Sequence, residues 1–332
     1  MYVLGIETSC DETAASIVKD GEEVLSNVVS SSLNEHKKYG GIIPEVAFRQ
    51  QLETISEVTD SALKKAGLGL RKINLLSVTS GPGLTGSLLV GLSFAKAVNL
   101  SSGIPLLGIN HLYAHIYASF LNHSGPKLPF VALVISGGHT SLFYVQDFDK
   151  IKTLGATSDD ACGEAFDKVA KILSLGYPGG PVIERIARSG NPQKIKFSCS
   201  NTEKPLDFSF SGIKTAVLYY VRRLAGWPVR RLQNRQTEDI AASFQEAVID
   251  ALIRKSFLAC KLKKINRLVI GGGVAANNRL RQSFYREAEK GNLEIYFPPK
   301  EFCLDNAAMV AGLGYQLFKK GHRAGLELNL SH

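Results

Sequence analysis

No stretch of this 332-residue chain comes near the ~20 consecutive apolar residues a membrane-spanning helix needs. The longest apolar runs, such as Phe130 to Ile135, are of strand length. Residues 1–9 read as a strand and carry no basic leader or cleavage site, so no export signal and no membrane partner are expected. Cysteine is sparse: Cys10, Cys162, Cys199, Cys260 and Cys303 are scattered, odd in number and nowhere spaced C-x-x-C. A disulfide framework is thereby disfavoured, and a reducing cytoplasm is the expected setting. Three catalytic signatures are also missing. There is no G-x-x-x-x-G-K-[ST] phosphate loop, no G-x-G-x-x-G after a strand, and no H-E-x-x-H.

What is present is the composition of a globular protein and not of a disordered one, 45% hydrophobic and 21% charged. The length exceeds one ordinary core of ~100–150 residues, so two lobes are expected. Lys and Arg total 39 against 30 Asp and Glu, a net charge of +9 that favours a polyanionic partner. The cations come in small groups: Lys37–Lys38, Arg222–Arg223, Arg230–Arg231, Lys261 with Lys263 and Lys264, Arg279 with Arg281, and Lys319–Lys320. Each alone also suits a solvated helix face.

Along the chain, residues 2–8 form an apolar strand, and Ala14–Val18 and Val24–Val29 flank Asp20-Gly21 as a hairpin. A helix is expected from Pro44 to Ala66, a strand at 75–79, a helix at 86–100, a strand at 105–109 and a helix at 111–121. The pattern then restarts. A strand at 130–135 pairs with 141–145; helices follow at 162–174, 180–189, 211–224 and 236–261. A strand at 267–270, a helix at 278–290, a strand at 293–297 and a helix at 305–319 close the series. This is a duplicated α/β organisation, two lobes with a central cleft. The expected lobes are 1–110, completed by 305–332, and 111–304 with helical insertions.

Polar or glycine-rich turns follow four of these strands, at 7–13, 80–86, 136–140 and 271–277. Ligands of open α/β sheets gather at such strand ends, where exposed N–H groups and helix N-termini suit phosphate. The layout resembles the actin, hexokinase and Hsp70-like ATPase superfamily. His111-Leu112-Tyr113-Ala114-His115 sets two imidazoles at i and i+4 on one helix face, a spacing that suits two ligands to one ion. Asp305 is the best third ligand, though its place at the head of the last helix also suits an N-cap. Two histidines and a carboxylate with open positions suit Fe(2+) or Zn(2+). The residues between the histidines lack the glutamate that activates water in zinc proteases, so the site reads as a grip on a ligand's oxygens.

GIETSCDET (5–13), GPGLTGSLLVG (81–91), HLYAH (111–115), SGGHT (136–140), GEAFDKVAK (163–171), YPGGP (177–181), DFSFSGIKT (207–215), GGGVAANNRLR (271–281) and EFCLDNAAMVA (301–311) together resemble the bacterial TsaD family of tRNA N6-adenosine threonylcarbamoyltransferases, formerly called O-sialoglycoprotein endopeptidases. The likeness spans nearly the whole chain in order. The final residues, Gly325 to His332, lack the basic, Trp-Pro-containing tail of many relatives. The resemblance implies transfer of threonylcarbamoyl from threonylcarbamoyl-AMP to N6 of adenosine 37 in tRNAs reading codons that begin with A. It implies iron(II), or zinc, on His111, His115 and Asp305. It implies substrate contacts at Val134, Ile135, Ser136, Gly137, Gly138, Asp167, Gly180, Glu184 and Asn277. It also implies a TsaB-like paralogue and a TsaE-like ATPase as partners.

The implied chemistry has three needs. The leaving phosphate needs cationic help, which a metal gives as a Lewis acid. The oxyanion needs N–H donors, which the Ser136–Gly138 turn offers. Adenine N6 must lose a proton, and Asp11 and Glu12 are the candidate carboxylates. The rival readings are a metal-dependent glycoprotein endopeptidase, a sugar-kinase-like or chaperone-type ATPase on fold alone, and a non-catalytic tRNA-binding scaffold consistent with the charge.

Overall fold

The computed structural model describes residues 1–122, 125–225 and 233–331, so the Arg230–Arg231 pair lies outside the described residues. The chain divides into two compact units, Met1–Pro126 with Pro298–His332, and Lys127–Phe297. The sequence reading set these boundaries at 110 and 304. The helix bearing both histidines therefore falls in the first unit and does not open the second.

In the first unit, β1 (Tyr2–Glu7), β2 (Glu12–Lys19) and β3 (Glu23–Ser31) form an antiparallel meander. Asp20 and Gly21 both take positive φ, 52° and 83°, as the type I′ hairpin turn between β2 and β3 demands. The short α1 (Leu33–Lys37), not anticipated from sequence, precedes α2 (Pro44–Lys65). Pro44 starts α2 at a position where a missing N–H costs nothing, and Gly67 leaves it at φ +66°. Its buried stripe, Ala47, Gln51, Ile55, Val58 and Ala62, has helical spacing and lies on the sheet. β4 (Leu75–Gly81), α3 (Thr85–Ser102) and β5 (Leu106–Asn110) add two parallel strands, giving the order β3-β2-β1-β4-β5. α4 (His111–Tyr117) follows β5 with no intervening loop. Asn110 caps it, its side-chain oxygen accepting from the N–H groups of Leu112 and Tyr113.

The second unit repeats the plan. β6 (Phe130–Ile135), β7 (Thr140–Asp147) and β8 (Lys150–Ala156) form the meander. Next come α5 (Cys162–Ile172), α6 (Gly179–Ala187), α7 (Ser211–Ala225), α8 (Asn234–Lys263), β9 (Arg267–Gly271), α9 (Asn278–Gly291) and β10 (Glu294–Tyr296). The order β10-β9-β6-β7-β8, with β6 parallel to β9 and β9 to β10, matches the first sheet strand for strand. The α/β duplication expected from the sequence is present in the topology.

The chain then returns to the first unit. α10 (Ala307–Lys319) packs on β1, β2 and β4. Gly5 lets it approach: a Cβ there would lie 2.2 Å from the Ala307 carbonyl oxygen. The closing residues lie on the same unit. Leu328 and Leu330 pack against its apolar cluster, and the Ser331 N–H donates to the Ser80 carbonyl at 2.8 Å. Among the described residues no helix is long and apolar enough to cross a membrane.

Candidate functional site

The first unit gathers His111 and His115 from α4 with Asp305 from the turn before α10. Asn306, not Asp305, is the N-cap of α10, accepting from the Met309 N–H. Asn306 also donates to the Phe302 and Leu304 carbonyls, which closes the turn that presents Asp305. The capping role that competed for Asp305 thus belongs to its neighbour. The Nε2 atoms of His111 and His115 lie 3.6 and 3.1 Å from Asp305 Oδ1, and each of the three residues offers a ligand atom within 4.8 Å of the others. The two rings meet edge-on, centroids 4.6 Å apart. Both histidines are buried, and the donor set of two imidazoles and one carboxylate suits a first-row divalent metal.

A wholly buried carboxylate stands behind them. Glu7 ends β1, with its Oε2 3.1 Å from His111 Nδ1. Burial works against a charged His111 ring, but the Glu7 and Asp305 carboxylates outweigh it and lift its pKa to about 9. Burial likewise opposes ionisation of Glu7, and the His111 ring outweighs it and holds the carboxyl below its ordinary value.

Asp11 and Glu12 follow at the turn from β1 into β2, in the same unit. The turn is held by side chains that the sequence reading did not single out. Gln51 Nε2 donates to the Cys10 and Glu12 carbonyls at 3.0 and 2.9 Å, Ser87 Oγ donates to the Cys10 carbonyl, and Ser32 Oγ donates to the Asp11 carbonyl at 2.7 Å. Gly83 admits the turn closely, since a Cβ there would lie 2.4 Å from the Ser9 carbonyl oxygen. Burial, with Asp305 and Asp11 nearby, raises the Glu12 carboxyl well above its ordinary value. Burial also pushes the Cys10 thiol up, so it is no reactive thiolate. The signal for Gln51 was available: a polar residue on the apolar stripe of an amphipathic helix needs buried partners.

The second unit carries the remaining candidates. Ser136 closes the β6–β7 turn, its N–H donating to the His139 carbonyl and its Oγ accepting from the His139 N–H. Gly137 and Gly138 at the tip are exposed, and a Cβ on either would meet nothing within 4 Å. Val134 and Ile135 are wholly buried in β6, so they set the turn's position through the backbone and offer no side chain to a ligand. Asp167 on α5 accepts from the Gly179 N–H at 2.6 Å. Burial, opposed by the N–H groups of Gly179 and Gly180, raises its pKa to about 6. Glu184 on α6 accepts from both the backbone and side-chain nitrogens of Asn278, at 3.1 and 2.7 Å. Asn277 caps α9 through Oδ1 and donates to Gln245 Oε1 at 2.8 Å. A cavity of about 520 Å³ opens here, lined by Glu184, Gly190, Gln245, Asn278, Arg279 and Gln282 among others. Glu184 thus reaches the cavity wall, whereas the Asn277 side chain is committed to the helix end.

Residues 23–312 match the family model described as TsaD: tRNA N6-adenosine threonylcarbamoyltransferase. A protein of that description from Caldicellulosiruptor saccharolyticus is 49% identical over 329 residues, 99% of this chain and 96% of the relative. Another, from Kosmotoga olearia, is 50% identical over 329 residues, 99% and 97% of the two chains. Among solved structures, the activator of the 2-hydroxyisocaproyl-CoA dehydratase from Clostridium difficile superposes with a TM-score of 0.54 at 17% identity, covering 97% of each chain. That likeness speaks for the actin, hexokinase and Hsp70-like ATPase fold alone.

Proposed function

The chain belongs to the TsaD family of tRNA N6-adenosine threonylcarbamoyltransferases, a family of tRNA-modifying transferases, and on that footing we propose that its donor is threonylcarbamoyl-AMP and its target N6 of adenosine 37 in tRNAs reading codons that begin with A. The observation that carries the reading is the convergence of His111 Nε2, His115 Nε2 and Asp305 Oδ1 in the unit that also holds Asp11 and Glu12. These three would hold iron(II), with zinc(II) the other metal the donor set suits. When bound, the ion supplies Lewis-acid stabilisation to phosphate or carboxylate oxygens.

The protein's own groups then divide the work. Ser136 shapes the turn whose Gly137 and Gly138 are open to an approaching oxygen, a natural place for N–H donors to an oxyanion. Asp167, Gly180 and Glu184 are assigned to the adenylate, with Asn277 holding the start of α9 beside it. Asp11 and Glu12 are assigned to the proton that adenine N6 loses as it attacks the carbamoyl carbon and AMP departs. A TsaB-like paralogue and a TsaE-like ATPase are the proposed partners, and the cytoplasm the proposed setting. The endopeptidase reading is not favoured, because Leu112, Tyr113 and Ala114 leave no glutamate between the histidines.

The test is transfer in vitro. The protein, its partners, threonylcarbamoyl-AMP and unmodified tRNA are incubated, and the nucleosides are read by mass spectrometry. Threonylcarbamoyladenosine is expected with the wild type. The double variant His111→Ala/His115→Ala is expected to lose bound metal and product together; full activity in a metal-free double variant would sink the metal assignment.

A further inference from the structure

Glu7 takes no part in the chemistry above, yet it is the most completely enclosed carboxylate of the first unit's site. It is wholly buried, and its two oxygens are engaged from three directions. Oε1 accepts from the Ser9 N–H at 2.5 Å. Oε2 accepts from the Thr79 hydroxyl at 2.5 Å and faces His111 Nδ1 at 3.1 Å. Ser9 Oγ also lies 3.1 Å from that nitrogen. Nδ1 is the ring atom that turns away from Asp305, while Nε2 turns towards it.

We propose that Glu7 is a positioning residue for the metal: it fixes the plane of the His111 ring and holds a proton on Nδ1, so that Nε2 is the nitrogen that gives up its proton and offers its lone pair to the ion. A carboxylate only accepts hydrogen bonds, so the nitrogen facing it must be the N–H. Outer carboxylates of this kind commonly set the tautomer and raise the basicity of ligating histidines. The two histidines differ in this respect. His115 Nδ1 is buried with no hydrogen-bond partner among the described residues, so no group behind that ring fixes which nitrogen carries the proton. Glu7 does a second thing. Through the Ser9 N–H it also anchors the start of the turn that carries Asp11 and Glu12, so one carboxylate places a metal ligand and the acidic turn together.

The inference rests on the reading of His111, His115 and Asp305 as ligands. Its test is Glu7→Gln. The Ser9 N–H is a fixed donor, so the new amide must turn its oxygen towards Ser9 and its NH₂ towards His111 and Thr79. His111 Nδ1 then faces an N–H donor where a carboxylate stood, with only Ser9 Oγ left to accept its proton, so the tautomer with the proton on Nε2 gains weight and the ligand is weakened. The expected result is a ~10–100-fold weaker affinity for Co(II) and Zn(II) in competition with a chromophoric chelator, and a changed Co(II) visible spectrum. In the His111→Ala background the same change should weaken binding no further. Wild-type affinity and spectrum in Glu7→Gln overturn the proposal. Should that variant not fold, ¹⁵N shifts of the histidine rings in the zinc-loaded wild type decide: His111 bound through Nε2 with a proton on Nδ1 supports it, and ligation through Nδ1 overturns it. A wild type that binds neither metal fails the ligand reading itself, and this inference with it.

Discussion

A carboxylate that accepts two backbone N–H groups but sits mostly out of water is destabilised by the second condition more than it is helped by the first. Asp167 shows the balance in its pKa of about 6. Its ordinary value is 3.8, so the folded protein holds this proton more tightly than the unfolded chain. The contribution favours folding below the unfolded pKa and is lost as pH rises through about 6. Asp167→Asn should therefore gain stability over the wild type at pH 8 and show no gain at pH 4. The expected gain is at most ~3 kcal/mol, reduced by the partial exposure of the group. Melting curves at the two pH values check this, and a gain that is larger at pH 4 would contradict the stated cause. Destabilised groups of this kind cluster at ligand sites, so the same variant is expected to bind threonylcarbamoyl-AMP more weakly. At the other site, Asp11→Asn should retain donor binding and metal content while slowing single-turnover transfer. Unchanged transfer would remove its proton role and leave it to Glu12, which Glu12→Gln tests in the same assay. Both positions were legible in the sequence as acids at a strand end. Glu7 was not, because its importance lies in partners 72 to 104 residues away, whereas Gln51 shows in the sequence only as a polar residue on an apolar helix stripe, its partners 39 to 41 residues away.

At the scale of elements, sequence periodicity found the helices well and the weakest strand badly. β8 (Lys150–Ala156) was missed because it is an edge strand with three lysine and threonine side chains exposed, so neither face reads as apolar. The basic groups seen along the chain acquire a plain role in the structure. Arg222–Arg223, Lys261 with Lys263, and Lys319 lie in the last turns of α7, α8 and α10, where cations complement exposed carbonyls. Arg279 is different, held by both oxygens of Glu246 at 2.7 and 2.9 Å. Glycines also separate by environment. Gly5→Ala would drive a Cβ into the Ala307 carbonyl and push α10 from β1, at ~1–3 kcal/mol or more of stability. Because Asp305 sits just before α10, metal affinity should fall with it. Gly137→Ala meets nothing, so stability should stay within ~0.5 kcal/mol while transfer slows. Urea titrations beside transfer rates separate the two; a Gly5→Ala protein as stable and as metal-avid as the wild type would refute the packing argument.

For the molecule as a whole, the duplication was visible as a repeated order of strands and helices, but the boundary between the halves was not. A lobe boundary at 110 puts α4 with the second half. In the structure its packing partner is α10, more than 190 residues further on, and tertiary contact overrides chain order. The consequence is that every proposed metal ligand, together with Glu7, belongs to one unit: Met1–Pro126 with Pro298–His332. Lys127–Phe297 has its own complete sheet and interrupts the chain of that unit once. Residues 1–126 alone should fail to fold, since β1, β2 and β4 would lose the cover of α10, and Leu328 and Leu330 would leave the core cluster. Joining 1–126 to 298–332 through a flexible Gly/Ser linker restores that cover, and loop length adds little entropic cost. The joined chain is expected to fold cooperatively by circular dichroism and to bind Co(II) within about tenfold of the intact protein, a factor of ~1.4 kcal/mol. It should make no threonylcarbamoyladenosine, because the Ser136 turn, Asp167 and Glu184 are gone. A folded joined chain that binds no metal would show that the site needs the second unit after all, against the geometry of His111, His115 and Asp305.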